Sequence, residues 1–272
     1  MRPLCSRWLG MYYALNSGAP STKTSYQIEG YVRGFSTALE SVCGTSDQTK
    51  PAKCFSGTTY TKSQAVARLL IGGSSLCTGW LLGSSGHLVT NQHCITRAAD
   101  AAQVDIEFGA ESASCSDLCA TQLGCKGKVE ATSATFVTNS ATIDYALLKL
   151  PATIADKYGY LQFRAAGPTV GEKIYIPQHP AGWAKRIVNT VDGGAAATIT
   201  FKDKSNTGCG NNQVGYLADT QGGSSGSPVL SQSDNLVVAL HHCGGCDNLA
   251  VDPRTVLADI KSKGINVPNG SV

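Results

Sequence analysis

Short apolar segments separated by turn-forming residues are the feature that most constrains the fold of this chain. They begin after Ser63 and lie at residues 65–71, 78–82, 87–90, 104–108, 145–150 and 173–176, with Gly, Ser and Asn between them. Many short strands at this spacing are typical of an all-β barrel or sandwich. The last periodic segment, 254–263, carries apolar residues at helical spacing and ends at Gly264, so it predicts one amphipathic C-terminal helix.

The length of 272 residues accommodates one all-β domain of about 200 to 250 residues together with an extension. Residues 21–60 are polar and lack a periodic core pattern, apart from one alternating stretch at 26–32 that is compatible with a lone strand. We therefore predict an N-terminal extension or truncated pro-region at 1–60 and the folded domain at 61–272.

Eleven cysteines in one chain indicate an oxidising compartment, and we expect a secreted, extracellular protein with up to five disulfides. Cys5 lies far from the other ten and is the candidate for the unpaired one. The alternative for such clusters is a zinc site, for which Cys115, Cys119 and Cys125, or Cys243 and Cys246, have suitable spacing.

The start of the chain is a weak secretion signal, because Arg2 and Arg7 precede only a short apolar run at 8–15. It is either a marginal signal peptide or the sign of a truncated gene model. No stretch reaches the roughly 18 apolar residues that span a bilayer, so we expect no membrane anchor. The net charge of +3 is scattered, and no basic stripe suggests a nucleic-acid partner.

A Gly- and Ser-rich turn at 221–227 runs directly into an apolar strand. Amide hydrolysis needs an exposed hydroxyl beside two backbone N–H groups that stabilise the developing oxyanion, and glycines allow the backbone to take that shape. Ser225 is the candidate nucleophile, with the N–H groups of Gly223 and Ser225 as the oxyanion hole. The alternative is a flexible Gly/Ser loop without a catalytic role.

Two further segments supply the groups that such a serine requires. His93 ends an apolar strand and precedes Cys94, while Cys77 lies sixteen residues before it, so a Cys77–Cys94 disulfide would brace the histidine. Asp144 stands at the head of the apolar segment 145–150. An imidazole can accept the serine proton when a buried acid holds it in one tautomer, and a buried carboxylate is costly unless it is paired.

The three segments, in the order His93, Asp144 and Ser225, resemble the trypsin/chymotrypsin family of serine proteases over residues 64–263. The resemblance implies a double six-stranded antiparallel β-barrel with a C-terminal helix. It also implies a serine endopeptidase in which these three residues form the catalytic triad, with no metal and no organic cofactor. The turn at 223–228 and the segment 177–187 are more similar to the bacterial-type branch of glutamyl and lysyl endopeptidases. Resemblance to lysyl endopeptidases further suggests that Cys43 pairs with Cys243 or Cys246, and Cys54 with one of Cys115, Cys119 and Cys125.

The sequence departs from the digestive enzymes of this family in two places. Ser224 stands where those enzymes keep the aspartate that pairs with a freshly cut N-terminus, so we do not expect activation by that ion pair. His242, or its neighbour, stands where the family keeps a serine near the triad acid.

Substrate specificity has two conflicting indications. Asp219, six residues before Ser225, falls where trypsin-like enzymes keep the carboxylate that binds Lys or Arg. Thr220 and His241 instead resemble the pocket of glutamyl endopeptidases. We favour basic substrates, because an unpaired Asp219 would repel a glutamate side chain; the alternative is that Asp219 faces solvent and His241 is structural.

The predicted partners are peptide or protein substrates, and we expect a monomer. The main alternative from another class is a catalytically silent protease homologue that binds or inhibits another protein. An α/β-hydrolase would need its histidine well after the serine, and the residue order and the many short strands argue against it.

Overall fold

A computed structural model of the protein describes residues 41–272. Cys5, the weak signal segment and the predicted strand at 26–32 lie outside the described residues. Within the described part the chain forms the strands β1 (Lys50–Pro51), β2 (Val66–Ile71), β3 (Ser75–Leu82), β4 (His87–Thr90), β5 (Val104–Phe108), β6 (Lys128–Ala131), β7 (Thr135–Ser140), β8 (Tyr145–Lys149), β9 (Ile174–Gln178), β10 (Arg186–Val188), β11 (Ile199–Asn206), β12 (Gly210–Tyr216), β13 (Pro228–Ser231), β14 (Val237–Cys243) and β15 (Asn248–Val251). The helices are α1 (Gly57–Ser63), α2 (Ala98–Ala101), α3 (Ala152–Tyr158) and α4 (Pro253–Ser262).

The first sheet is antiparallel and has the strand order β6-β5-β2-β3-β4-β8-β7. Its two edge strands, β6 and β7, are consecutive in the chain and are separated by residues 132–134 alone. The chain therefore passes directly from one edge to the other and curls the sheet into a barrel. When β6 and β7 are counted as one interrupted strand, this barrel has six strands.

The second sheet is also antiparallel, with the order β1-β10-β9-β13-β14-β15-β12-β11. Backbone hydrogen bonds join the start of the edge strand β11 to the start of β9, because Ile174 N donates to Ala197 O and Ile199 N donates to Glu172 O. When β10 and β11 are counted as one interrupted strand and the two-residue β1 is set aside, six strands remain. The predicted all-β architecture of two antiparallel barrels and a C-terminal helix is confirmed.

The strands form because apolar side chains of each barrel are removed from water on its inside. Trp80 and Phe163 are fully buried and meet edge to face, with ring centroids 5.1 Å apart. Helix α4 begins with Asp252, whose carboxylate accepts a hydrogen bond from Arg254 N, and with Pro253 in its first turn. Val256 and Ile260 on its inner face are buried in the same core.

The segment 41–60 is bonded to the rest of the domain. Strand β1 pairs with β10, and Cys43 and Cys54 form disulfides with Cys246 and Cys115. The other three disulfides are Cys77–Cys94, Cys119–Cys125 and Cys209–Cys243. All the cysteines that were considered as zinc ligands are thus engaged in disulfides. The domain boundary at residue 60 stays a prediction.

Candidate active site

His93 and Asp144 are held together by the first barrel. His93 follows β4, and Asp144 directly precedes β8, the strand that pairs with β4. The carboxylate of Asp144 takes two hydrogen bonds from His93, one from its backbone N to Oδ1 at 2.9 Å and one from Nδ1 to Oδ2 at 2.7 Å. Asn91 Nδ2 donates to the backbone carbonyl of Asp144 at 2.9 Å. These contacts fix the position and the tautomer of the His93 ring.

Ser225 comes from the second barrel, in the turn before β13. Its Oγ lies 2.8 Å from His93 Nε2, so the structure brings His93, Asp144 and Ser225 into one hydrogen-bonded chain across the two barrels. Thr78 of β3 ties this turn to the first barrel, because its N donates to Ser225 O and its Oγ1 donates to Gly223 O, both at 2.8 Å.

The charge of Asp144 is set by two opposing effects. Burial of the carboxyl group raises its pKa, but hydrogen bonds from His242 and His93 outweigh burial and hold the pKa of Asp144 below its ordinary value. The carboxylate is therefore ionised at neutral pH and available to orient an imidazole.

Two carbonyl groups of the serine turn have fixed hydrogen-bond partners. Gly222 O accepts a hydrogen bond from Ala181 N at 2.6 Å, and Ser224 O accepts one from Ser227 N at 2.9 Å. Because N–H and C=O point in opposite directions across a trans peptide, the N–H groups of Gly223 and Ser225 point away from those partners. Gly223 has φ +101°, and a Cβ there would lie 2.9 Å from His179 O. The arrangement therefore requires glycine at this position.

Asp219 has different partners from those that the sequence suggested. It is almost fully buried, and its two carboxylate oxygens accept backbone N–H groups of Cys43 and Gln48, each at 2.7 Å. Burial raises the pKa of Asp219. Both oxygens therefore anchor the segment 43–48, and Asp219 is not the unpaired carboxylate on which the preference for basic substrates was based.

Thr220 directly precedes the serine turn, and His241 of β14 is bonded to it, because His241 N donates to Ser227 O at 2.9 Å. Both residues are fully buried. Thr220 Oγ1 makes no hydrogen bond with any residue in the range 41–272. His241 Nδ1 lies 2.7 Å from the Tyr216 hydroxyl. Burial, with the nearby charges of His242 and His93, lowers the pKa of His241 to about 3, so this ring is neutral at pH 7.

His242 contacts the triad acid from the second barrel. Its Nδ1 lies 3.0 Å from Asp144 Oδ2, and its Nε2 lies 2.7 Å from Gln213 Oε1 on β12. The family resemblance singled out His242, or its neighbour, as the replacement for a serine near the triad acid. It did not single out Gln213, which is 29 residues from His242 and carries no motif.

A cleft of about 390 Å³ borders this side of the triad and is lined by His93, Thr142, Asp144, the hairpin between β11 and β12, and His242. The Cys209–Cys243 disulfide closes one side of the cleft by joining the hairpin to β14.

Among residues 41–272, the one grouping of metal-ligating side chains is Cys77, His93 and Cys94. Its two sulfur atoms form a disulfide with each other, and its imidazole is hydrogen-bonded to Asp144 and Ser225. These atoms are not available as a ligand set. In the same range no helix has the length and apolar character needed to cross a membrane.

Comparison with known proteins places these features in a family. The family model described as a trypsin-like peptidase domain matches residues 77–240. A protein named secreted RxLR effector protein 73, from Plasmopara viticola, is 49% identical over 246 residues, which cover 89% of this chain and 60% of that protein. An uncharacterised protein, y4fB of Sinorhizobium fredii, is 30% identical over 213 residues, covering 71% of this chain and 29% of that protein.

Solved structures share the fold. A Glu endopeptidase superposes with a TM-score of 0.55 at 21% identity, covering 82% of this chain and 98% of its own. The HtrA-type protease AlgW superposes with a TM-score of 0.54 at 16% identity, covering 74% and 60%. Because the family model matches more than half of the chain, the protein belongs to the trypsin-like peptidases, and its fold is that of the chymotrypsin-like serine proteases.

Proposed function

We propose that the protein is a secreted serine endopeptidase that hydrolyses peptide bonds through an acyl-enzyme. The observation that carries the proposal is the continuous hydrogen-bonded chain Ser225–His93–Asp144, whose contacts measure 2.8 and 2.7 Å. Distances of this size let a proton pass between the groups without rearrangement of the fold. Five disulfides support secretion, as does the secreted relative.

The reaction follows from the positions of these groups. His93 Nε2 accepts the proton of Ser225 Oγ as that oxygen attacks the peptide carbonyl, and Asp144 stabilises the imidazolium that forms. The carbonyl oxygen becomes negative and is held by the N–H groups of Gly223 and Ser225. His93 then donates its proton to the leaving amine, and an activated water releases the acyl group by the same steps in reverse order.

Labelling with a fluorophosphonate probe tests this function, because such probes react with activated serines. We expect the probe to label wild-type protein at Ser225 and to leave the Ser225→Ala variant unlabelled. Ser231→Ala is the matched control, since Ser231 is a buried serine of β13 outside the triad and should leave labelling unchanged. Absence of labelling in folded wild-type protein would contradict the proposal and favour a silent homologue.

For substrate choice, we propose that the protease prefers an acidic side chain before the scissile bond. Thr220 Oγ1 is a buried hydroxyl without a partner among residues 41–272, and such a group is costly unless a ligand completes it. If the Tyr216 hydroxyl donates to Nδ1 of the neutral His241 ring, Nε2 carries the proton and serves as a donor toward a carboxylate. The partners of Asp219 remove the reason to favour Lys or Arg.

Fluorogenic peptides that differ in that residue alone test the preference. We expect the Glu peptide to show a higher kcat/KM than the Gln, Lys and Arg peptides. Thr220→Val should lower kcat/KM for Glu by about 10- to 100-fold, because a hydrogen bond to a charged group contributes about 1.5 to 3 kcal/mol. Asp219→Asn should leave the order of the peptides unchanged. Fastest cleavage of the Lys or Arg peptide would refute the acidic preference without affecting the triad assignment.

We also propose that any processing cut falls before Cys43, rather than at the sequence-predicted boundary near residue 60. Support comes from the Cys43–Cys246 disulfide and from the two hydrogen bonds that Asp219 accepts from the segment 43–48. N-terminal sequencing of active protein tests this proposal, and a mature terminus after Cys43 would contradict it.

A further inference from the structure

His242 is the extra residue of a β-bulge. On β14, His241 pairs with Ala250 and Cys243 pairs with Leu249. The two-residue advance on β14 therefore lies opposite a one-residue advance on β15. A bulge of this kind turns the side chain of the extra residue away from the regular alternation of the strand. At His242 it directs the ring to Asp144 of the other barrel.

Gln213 reaches the same ring from β12, on the far side of β15. Its Nε2 donates to Asn211 O at 3.0 Å. A backbone carbonyl can only accept hydrogen bonds, so this contact fixes the amide with Oε1 toward His242 Nε2, at 2.7 Å. The Gln213 side chain therefore presents His242 with an acceptor.

Both nitrogens of the His242 ring then face acceptors. Nε2 faces the amide oxygen of Gln213, and Nδ1 faces Asp144 Oδ2. A neutral imidazole has one N–H donor and one lone pair, whereas the imidazolium has two donors. His242 and Gln213 are nearly fully buried, with 7% and 3% exposed, so water does not replace a missing donor between His242 Nε2 and Gln213 Oε1.

We propose that His242 is a positioning residue that stays doubly protonated and shares the Asp144 carboxylate with His93 as a fixed cation. This inference rests on the proposed proteolytic function, because it concerns the behaviour of the triad base. A donor at this place orients Asp144, and the charge on His242 adds a second effect that a neutral donor would not have.

The second effect is on the protonation of His93. A carboxylate beside an imidazole favours the imidazolium, and a cation on the same carboxylate opposes it. With His242 charged, His93 remains neutral, and able to accept the serine proton, at lower pH than it would beside Asp144 alone. The acid limb of the kcat/KM profile therefore lies at lower pH than in a variant with a neutral donor at residue 242.

Among residues 41–272, few titratable groups face His242. Asp144 and His93 face it from the first barrel, and His241 is its neighbour on β14. The residues of β12 and β15 opposite the bulge are Gln213, Leu249 and Val251, which do not titrate. His241 is neutral at pH 7 because its pKa is low, so Asp144 and His93 are the groups whose charge His242 governs.

The test compares pH profiles of kcat/KM for the wild type and His242→Asn. The Asn side chain can still donate to Asp144 Oδ2 but carries no charge. Whatever the change in the plateau value of kcat/KM, we expect the acid limb to move up by about one pH unit, as expected for the loss of a cation near a titrating group. His87→Asn is the matched control, because His87 is a buried histidine that bonds Ser85, and should leave the profile unchanged.

Two variants of Gln213 separate the charge of His242 from packing. Gln213→Leu removes the acceptor for Nε2–H, so His242 loses its second proton and the acid limb should move up as in His242→Asn. Gln213→Glu keeps an acceptor at this place, so His242 keeps both protons; because the added carboxylate partly offsets the cation, the limb should move up less than in Gln213→Leu. If both Gln213 variants lower kcat at every pH without moving the limb, the role of His242 is structural and the proposal is wrong.

Nitrogen-15 spectra of histidine-labelled protein provide a readout that does not require activity. We expect the His242 signals, assigned by their loss in His242→Asn, to show two protonated ring nitrogens at pH 7 in the Ser225→Ala protein. One protonated and one bare nitrogen would overturn the proposal. If wild-type protein neither hydrolyses peptides nor reacts with the probe, the proteolytic function fails, while these spectra still decide the charge of His242.

Discussion

Gly223 and Gly171 share a positive φ but differ in what a side chain would meet. Gly223 has φ +101°, and a Cβ there would press on His179 O, whereas Gly171 has φ +85° and open space around the same position. A substitution at Gly171 thus carries the conformational cost alone, about 1 to 2 kcal/mol. At Gly223 it also displaces the backbone of the proposed oxyanion hole.

We therefore expect Gly223→Ala to lower kcat by about 10²-fold or more, as for the loss of an oxyanion donor. Gly171→Ala should keep kcat near wild type and reduce stability modestly. Steady-state kinetics with circular dichroism as a check of folding measures both variants. Equal kcat for wild type and Gly223→Ala would remove Gly223 from the oxyanion hole.

Asp219 supports a prediction about stability. In Asp219→Asn an amide NH₂ replaces one oxygen, and it faces either Cys43 N–H or Gln48 N–H as a second donor. We expect the free energy of unfolding to fall by about 1.5 to 3 kcal/mol, the size of a hydrogen bond to a charged group. Asp156→Asn, at an exposed position of α3, is the control and should change it by less than about 0.5 kcal/mol. Urea denaturation of both variants and the wild type measures the free energies of unfolding, and equal losses in the two variants would contradict the prediction.

At the residue scale, the sequence was sufficient to predict which residues the structure brings together at Ser225. Each motif spans only a few residues, and a single strand or turn fixes the positions of those residues in the fold. The surroundings of Asp219 were not predictable, because its partners lie 176 and 171 residues away. Nothing local distinguishes a carboxylate that binds substrate from one that binds a distant backbone.

At the element scale, the bulge of β14 depends on a covalent constraint beside it. The Cys209–Cys243 disulfide joins the β11–β12 hairpin to the residue after His242, across β15. It therefore holds Gln213 and His242 in register from two strands that are not hydrogen-bonded to each other.

Removal of this disulfide by Cys209→Ala with Cys243→Ala should lower kcat/KM at least about tenfold, because small displacements of catalytic groups are costly. Removal of the short-range bridge by Cys119→Ala with Cys125→Ala should leave kcat/KM close to wild type. Loss of chain-entropy stabilisation amounts to about 3 to 4 kcal/mol for the first pair and about 2 kcal/mol for the second. If the first double variant is less stable but equally active, the disulfide does not position the site.

The strands themselves were largely predictable. The segments 87–90 and 104–108 match β4 and β5 to the residue, and the helix predicted at 254–263 is shifted by one residue in α4. Apolar alternation is a local pattern, so it predicts where a strand lies without knowledge of the strand's partners. The bulge, the pairing of β1 with β10 and the partners of Cys119 and Cys209 depend on contacts that form after the barrels close, and no local pattern encodes them.

At the scale of the whole molecule, buried charges join the two barrels close to the active site. Lys185, fully buried before β10, lies 3.1 Å from Glu111 of the first barrel, and Lys185 N donates to Ala110 O. Arg68 of β2 bonds both Glu107 and Gly182 O. Buried ion pairs are strongly destabilising when one partner is removed.

Glu111 makes this junction sensitive to acid. Burial alone raises the pKa of the carboxyl group, but the Lys185 ammonium and hydrogen bonds from Gln64 and Tyr60 outweigh it and lower the pKa to about 2. The folded-state pKa lies below the ordinary value of about 4.3. The stability that Glu111 contributes is therefore complete above that ordinary value and is lost as the pH falls toward 2.

We expect Glu111→Gln to lower the free energy of unfolding by about 3 to 5 kcal/mol at pH 7, because Lys185 is left buried without a counter-charge. The difference from wild type should narrow between pH 5 and pH 3. Asp203→Asn, which breaks an exposed pair with Arg254, should change stability by less than about 1 kcal/mol throughout. Urea titrations at pH 7, 5 and 3 measure this, and a gap that stays constant would contradict the assignment.

The Cys43–Cys246 bridge has a consequence for biosynthesis. Its two cysteines are 203 residues apart, so Cys43 leaves the ribosome long before its partner exists. During that interval its thiol is exposed to Cys54, Cys77 and Cys94, with which it can form temporary, non-native bridges. Correct pairing then requires thiol–disulfide exchange after synthesis is nearly complete. Yield in a heterologous host should thus depend on a disulfide isomerase rather than on an oxidant alone.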